Sequence, residues 1–145
     1  MLNRLKHKAQ ITRSLSIGDW LTLAEAWWGL LAFYVAIRSV SFDRLNRAAP
    51  VKPAERGRDI FETAQHLQRL VHLASRLHLL SMTCLPRTLT LRWMLQRRHI
   101  PAQAQIGVTK TAQGFQAHAW LEVNGQQVGE AEDVTERFQK FNFEE

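Results

Sequence analysis

The stretch that organises the chain is SMTCLPR, at residues 81–87. Thr83 is a hydroxyl residue of the kind that caps a helix, and Pro86 is favoured in a first helical turn, so we predict a helix from about Cys84 to Arg98. Cys84 then lies where free backbone N–H groups and the helix dipole favour a thiolate. On position alone, an inert buried cysteine is an equal alternative.

A histidine and an acid follow the cysteine along the chain. The segment FQAHAWLEV, at residues 115–123, alternates in polarity and predicts a strand. His118, Trp120 and Glu122 are then expected on one face of this strand, and Ala117, Ala119, Leu121 and Val123 on the other. Asn-Gly at residues 124–125 is typical of a two-residue hairpin turn, and the return strand reaches Glu130. A thiol nucleophile, its base and the acid that orients the base occur in this order in thiol enzymes, so we predict catalytic roles for Cys84, His118 and Glu130.

The choice of the acid meets a geometric difficulty. With residues 124–125 as the turn, His118 faces residue 131, and Glu130 points to the opposite face of the hairpin. A bulge at one of the two nearby glycines would restore the match. The neighbouring acids that stay open as alternatives are Glu132 and Asp133.

The composition is that of an ordinary globular domain. The chain has 145 residues, of which 46% are hydrophobic and 22% charged, which is enough for one domain with a sizeable core. The net charge of +6 indicates an anionic partner without specifying its class. The arginines form no dense run interleaved with aromatic residues, so we expect no nucleic-acid partner. A single cysteine excludes an internal disulfide and fits a reducing cytoplasm.

The histidines give no metal-binding pattern. His66, His72 and His78 recur at every sixth residue. That spacing distributes them around a helix and does not stack them on one face, so they are expected to be solvent or groove residues. We predict neither a metal site nor a cofactor.

The most apolar stretch of the chain lies at residues 20–37. Ser16 to Asp19 has the form of a capping box and predicts a helix from about Asp19 to Val40. Its uncharged part is too short to span a bilayer, which needs about 20 residues. A buried helix is therefore the first interpretation, and weak contact with a membrane surface through its tryptophans is the second.

Two prolines, Pro50 and Pro53, interrupt the helical pattern. They divide the chain into an N-terminal helical region, residues 1–50, and a core, residues 51–145, within one compact unit. The core begins with a periodic apolar run at residues 58–80 and ends with the alternating segments of the hairpin. The run predicts another helix, whose inner stripe is Ile60, Ala64, Leu67, Val71, Ala74 and Leu77. The fold class is therefore predicted to be α+β, with N-terminal helices and a small antiparallel sheet.

Three segments occur in a specific order: CLPR at residues 84–87, AHAWLE at residues 117–122, and an Asn-Gly hairpin that closes on Gly-Glu at residues 129–130. Together they resemble the transglutaminase-like leader peptidase of lasso-peptide biosynthesis, over roughly the second two-thirds of the chain. The resemblance implies a reduced papain- or transglutaminase-like core. It also implies that the predicted cysteine and histidine are the catalytic pair, and it favours Glu130 as the acid.

The resemblance further implies an activity and its partners. The activity is removal of the leader peptide from a ribosomally made lasso-peptide precursor, through a thioester on Cys84 with His118 as the base. Because the first 50 residues are predicted to be helical, the chain resembles the peptidase half of a split system. The expected partners are then the leader segment of the precursor, a separate leader-recognition protein and the ATP-dependent lasso cyclase, all in the cytoplasm.

Three other interpretations stay open at this point. An acyl or amide transferase has the same order of cysteine, histidine and acid. A non-catalytic peptide-binding scaffold would keep Cys84 in its core and would tolerate Cys84→Ser. A peripheral membrane protein would use the tryptophans Trp20, Trp27 and Trp28, and liposome flotation would reveal it.

Overall fold

The computed structural model describes residues 15–47, 58–129 and 134–140, which form helices followed by a small sheet. In chain order the elements are the helices α1 (Ile17–Ala36), α2 (Phe42–Asn46), α3 (Arg58–Leu77) and α4 (Cys84–Arg97), the strands β1 (Gln103–Thr111), β2 (Gly114–Val123) and β3 (Gln126–Gln127), the short helix α5 (Val134–Arg137) and the strand β4 (Gln139–Lys140). This is the predicted α+β class. The predicted linker at residues 50–53 lies outside the described residues, and the division of the chain at residue 50 stays a prediction.

Helix α1 begins with the predicted capping box. The Ser16 hydroxyl accepts a hydrogen bond from the backbone N–H of Asp19 at 3.1 Å, and the Asp19 carboxylate accepts one from the backbone N–H of Ser16 at 2.9 Å. Asp19 also lies 2.8 Å from Nε2 of His66, which joins the start of α1 to α3. The helix ends at Ala36, and turns continue the chain to Val40, so the predicted end was four residues too late.

One stripe of α1 is buried and another is exposed. Leu23, Ala26 and Leu30 belong to the core. At Gly29 the helix approaches α4 so closely that an added Cβ would lie 2.8 Å from the Thr90 side chain. The large exposed apolar side chains of this helix are Ile17, Trp20, Leu21, Trp28 and Val35. None of the helices formed by the described residues is long and apolar enough to cross a membrane.

Helices α1, α3 and α4 and one face of the sheet share the main hydrophobic core. The sequence placed a periodic stripe of α3 inside, and four of its members are buried: Ala64, Leu67, Val71 and Ala74. Leu77, at the end of the same stripe, is 46% exposed because the helix stops there. The core residues from α4 and the sheet include Leu89, Met94, Leu95, Ala104, Leu121 and Val123.

The sheet is antiparallel with the strand order β3-β2-β1-β4. The predicted Asn-Gly turn joins β2 to β3, where Val123 pairs with Gln126. Asn124 and Gly125 have φ angles of 51° and 77°, the positive values that a tight hairpin turn of this kind requires. The return strand is shorter than predicted, since β3 ends at Gln127 and a bend follows before residue 130.

The two faces of the sheet have different environments. Leu121 and Val123 face the helices and belong to the main core. Trp120 and Phe138 form a second, smaller cluster, and Glu122 joins it because the Trp120 indole N–H donates to its carboxylate at 3.0 Å. Alternation along β2 therefore separates the two sets, as the sequence predicted.

Candidate active site

Cys84 is the first residue of α4, as the sequence predicted, and its side chain is partly exposed. Thr83 occupies the cap position, but its hydroxyl makes no capping hydrogen bond, which corrects the predicted role of that side chain. The third helical residue is Pro86, which has no N–H to offer to a cap. The backbone N–H groups of Cys84 and Leu85 therefore keep their hydrogen-bonding capacity beside the thiol.

His118 lies in the middle of β2 and pairs with Gly107 of β1. Its imidazole ring packs beside Trp120, with ring centroids 6.3 Å apart, and beside Phe138, with centroids 5.3 Å apart. The two rings, which we call the aromatic wall, restrict the orientation of the imidazole. Gly107 makes room for this wall, because a Cβ there would lie 2.8 Å from both Phe138 and Trp120.

Cys84 and His118 open into one cavity of about 520 Å³. The cavity lies between α3, the first turns of α4 and strand β2, and its apolar lining includes Val71, Leu91 and Leu121. The two predicted catalytic residues lie far apart in the sequence, and packing of α4 against β2 brings them to one cavity. A thiol, an imidazole and free backbone donors around one cavity are what acyl transfer through a thioester requires.

The short length of β3 allows α4 to reach β2. The carbonyl oxygen of Leu121 accepts the N–H of Val128, which is the last hydrogen bond of this ladder among the described residues. The next carbonyl on the same edge, that of Ala119, instead lies 3.2 Å from the Thr88 hydroxyl. The same hydroxyl lies 2.9 Å from the Cys84 carbonyl oxygen. Thr88 thus ties the residue that carries the thiol to the neighbour of His118.

Glu130, Glu132 and Asp133 all lie outside the described residues, so the identity of the acid stays a prediction. The second described segment ends at Gly129, which has a φ of 71° and lines the cavity. A Cβ at this position would collide with the side chain of Gln68 on α3. The backbone therefore turns away from ideal strand geometry next to Glu130, at one of the glycines where the sequence allowed a bulge.

Sequence reasoning did not single out Glu122, although it placed Glu122 on the face of His118. Its carboxylate is buried, accepts the Trp120 indole N–H, and pairs with the Lys140 ammonium at 2.8 Å. Lys140 lies on β4, beside Phe138 of the aromatic wall. The pair anchors the edge strand and the wall together. The alternation of His118, Trp120 and Glu122 was the signal that pointed to this arrangement.

The cavity wall opposite the sheet is basic. Arg69, His72 and Arg76 come from α3 and Arg87 from the first turn of α4. Nη1 of Arg87 lies 3.3 Å from Nδ1 of His72. Partial desolvation, and then the charges of Arg87 and Arg76, lower the pKa of His72 below its ordinary value of 6.5.

The three histidines of α3 lie in different surroundings. His66 pairs with Asp19, His72 lines the cavity, and His78 stacks on Trp27 with ring centroids 4.4 Å apart. In the part of the chain that the structure describes, no group of three or more potential ligands is placed to hold a metal ion.

A cysteine at a helix start that shares a cavity with a histidine on an antiparallel sheet is the arrangement of thiol-dependent acyl-transfer domains. The chain belongs to the transglutaminase-like superfamily, whose family model matches residues 27–142. Members of this superfamily generally carry out cysteine-protease or transferase chemistry. No curated protein and no solved structure matches the chain significantly.

Proposed function

We propose that the protein is a cysteine peptidase that removes the leader peptide from a lasso-peptide precursor. The observation that carries the proposal is the opening of Cys84 and His118 into one cavity of a transglutaminase-like domain. The choice of substrate is supported by the resemblance of residues 84–87 and 117–122, together with the hairpin that follows, to the lasso leader peptidases.

Acylation begins with proton transfer from the Cys84 thiol to the His118 imidazole. The thiolate attacks the carbonyl carbon at the end of the leader, and a negative charge develops on the carbonyl oxygen. The free N–H groups of Cys84 and Leu85 are the donors available to stabilise this oxyanion. The imidazolium then gives its proton to the departing amine, which becomes the N-terminus of the core peptide.

Deacylation reverses the roles of the same groups. His118 accepts a proton from water, which attacks the thioester, and Cys84 leaves as a thiolate that the imidazolium reprotonates. The aromatic wall of Trp120 and Phe138 keeps the ring oriented through both half-reactions. In this proposal Glu130 accepts a hydrogen bond from the imidazole and stabilises its charged form.

The proposed reaction takes place in the cytoplasm and requires other proteins. In this proposal a separate leader-recognition protein presents the precursor, as the resemblance to the peptidase half of a split system implies. The released core peptide then passes to the ATP-dependent lasso cyclase, which needs the new amine.

The test is cleavage of a lasso precursor in the presence of its leader-recognition protein, followed by mass spectrometry. Cys84→Ala is expected to abolish release of the leader, and His118→Asn to slow it by about 100-fold or more. His99→Asn is the matched control, because His99 is exposed, has a φ of 58° that asparagine tolerates, and does not line the cavity. Cleavage that survives in Cys84→Ala rules the proposal out.

The same experiment distinguishes hydrolysis from transfer. A nucleophilic amine such as hydroxylamine is added at increasing concentration, and the mass of the released leader is measured. Capture of the leader by the amine in preference to water would assign the protein to the transferases of the superfamily. Tight binding of the precursor without any covalent change would assign it a scaffold role.

A further inference from the structure

The basic wall of the cavity is built from one face of α3. Arg69, His72, Leu73 and Arg76 have the spacing i, i+3, i+4, i+7, which places all four side chains on one side of a helix. All four line the cavity. Arg87 adds a third guanidinium from the first turn of α4, three residues after the proposed nucleophile.

No described residue that lines the cavity is an aspartate or a glutamate. Three arginines elsewhere in the described residues have carboxylate partners: Arg97 and Arg98 pair with Glu25, and Arg47 with Asp43. Within residues 15–47, 58–129 and 134–140, no carboxylate forms an ion pair with Arg69, Arg76 or Arg87. Three guanidinium groups thus line one cavity in which the described residues supply no carboxylate.

The hydrogen bond and the lowered pKa of His72 both agree with this excess of positive charge. Its Nδ1 faces Nη1 of Arg87 at 3.3 Å and, since a guanidinium only donates, Nδ1 acts as the acceptor. Arg87 and Arg76 both oppose protonation of the ring. A carboxylate is the complementary group for such a wall, because the planar guanidinium binds it through two parallel hydrogen bonds.

We propose that the arginine-lined wall of the cavity, formed by Arg69, Arg76 and Arg87, binds a carboxylate of the peptide substrate. The inference rests on the proposed peptidase function and adds a specificity to it. The distance along α3 from Arg69 to Arg76 is about 10 Å at 1.5 Å per residue. An extended peptide covers that length in about three residues. The α3 part of the wall therefore spans about three residues of an extended peptide.

A test that needs no substrate uses Cys84 itself, which is the only cysteine of the chain. Iodoacetate and iodoacetamide alkylate a thiolate by the same substitution, with loss of iodide, but only the first carries a carboxylate. The ratio of their rates at Cys84, divided by the same ratio for the uncharged thiol 2-mercaptoethanol, measures the preference of the cavity for an anion. We expect a normalised ratio clearly above one at low salt and a decrease toward one in 1 M salt, because the Debye length shortens to about 3 Å.

The variants Arg69→Gln and Arg76→Gln remove charge from exposed positions on α3 and preserve the fold. Each is expected to lower the ratio by roughly two- to threefold, the Coulomb effect of one charge about 8 Å away in water. Arg44→Gln is the matched control, since Arg44 is exposed on α2 and does not line the cavity. A normalised ratio of one in the wild type overturns the inference, and so does a ratio that is the same in both α3 variants as in the wild type.

Protection experiments identify the source of the carboxylate. The peptide Ac-Gly-Glu-Gly-amide presents an acidic side chain, Ac-Gly-Gln-Gly with a free C-terminus presents a terminal carboxylate, and Ac-Gly-Gln-Gly-amide presents neither. Protection of Cys84 against iodoacetamide by the first peptide alone assigns a side-chain subsite, and protection by the second alone assigns a terminal one. Equal protection by all three peptides overturns the inference.

A second measurement covers the case in which Cys84 reacts with neither reagent. The imidazole of His72 is titrated by NMR with and without N-acetylglutamate amide. A carboxylate bound beside Arg87 is expected to raise the pKa of His72, and an unchanged titration contradicts the inference. Both measurements are independent of peptide cleavage. Loss of cleavage with a preserved anion preference refutes the peptidase alone, whereas cleavage without that preference refutes the subsite alone.

Discussion

The Thr88 hydroxyl lies 3.2 Å from the carbonyl oxygen of Ala119 and 2.9 Å from that of Cys84. One side chain thus bridges the first turn of α4 and the free edge of β2, next to His118. The side chain is only 7% exposed, so neither carbonyl gains water in exchange when the hydroxyl is lost.

Thr88→Val is therefore expected to destabilise the protein by about 1–3 kcal/mol, the cost of leaving a buried polar group unpaired. It should also slow the alkylation of Cys84, because α4 and β2 lose their alignment and the thiol is displaced from His118. Urea unfolding and the rate of Cys84 alkylation measure the two effects. Thr88→Ser keeps the hydroxyl and serves as the control. Equal alkylation rates in Thr88→Val and the wild type would contradict the positioning role.

Gly107→Ala is expected to disturb the aromatic wall. The added Cβ would lie 2.8 Å from Phe138 and Trp120, and overpacking of this kind costs about 1–3 kcal/mol. Tryptophan fluorescence and thermal unfolding report the displacement, and the proposed cleavage should slow as His118 loses its support. Gly18→Ala is the matched control, because the only contact of its Cβ is at 3.6 Å from Ser16. Unchanged fluorescence and stability in Gly107→Ala would refute this prediction.

Glu122→Gln tests the pair that anchors β4. The variant keeps an acceptor for the Trp120 indole N–H but loses the charge that faces Lys140. The Lys140 side chain is 42% exposed, so solvent screens the pair and the expected loss is about 1–2 kcal/mol. A double-mutant cycle with Lys140→Gln isolates the coupling. Strictly additive effects of the two substitutions would show that the pair contributes nothing.

Asp19→Asn should destabilise the junction of α1 and α3 in a pH-dependent way. The backbone hydrogen bond from Ser16, and then the hydrogen bond with His66, lower the pKa of Asp19 below its ordinary value of 3.8. A carboxylate whose pKa is lowered in the folded state stabilises that state fully above the unfolded value, and the effect is lost as the pH falls through the folded value.

The Tm of Asp19→Asn is therefore expected to lie below that of the wild type at pH 7 and to approach it as the pH falls below 3.8. Asp59→Asn, at an exposed first-turn position of α3, is the control and should change the Tm little at either pH. A constant difference between Asp19→Asn and the wild type from pH 7 to pH 3 would contradict the assignment of the pKa shift.

Features that depend on neighbouring residues could be predicted from the sequence. The capping box at Ser16, the position of Cys84 at a helix start and the Asn-Gly turn follow from hydrogen-bonding and φ preferences within a few residues. The end of α1 and the length of β3 were wrong by a few residues, because packing partners decide where an element stops. The role of Thr83 as a side-chain cap was wrong, since its hydroxyl makes no capping hydrogen bond. Pro86 removes one of the two backbone N–H groups that such a cap can use.

The sequence by itself determined the α+β class and the position of the Cys84 thiol at the start of a helix. It also determined the alternation that places His118, Trp120 and Glu122 on one face of a strand. Only the tertiary structure decided which other side chains these groups contact. The shared cavity of Cys84 and His118, the bridge from Thr88 and the basic wall on α3 join segments far apart in the chain. Such contacts depend on how helices and sheet pack together, which no local hydrogen-bonding rule specifies.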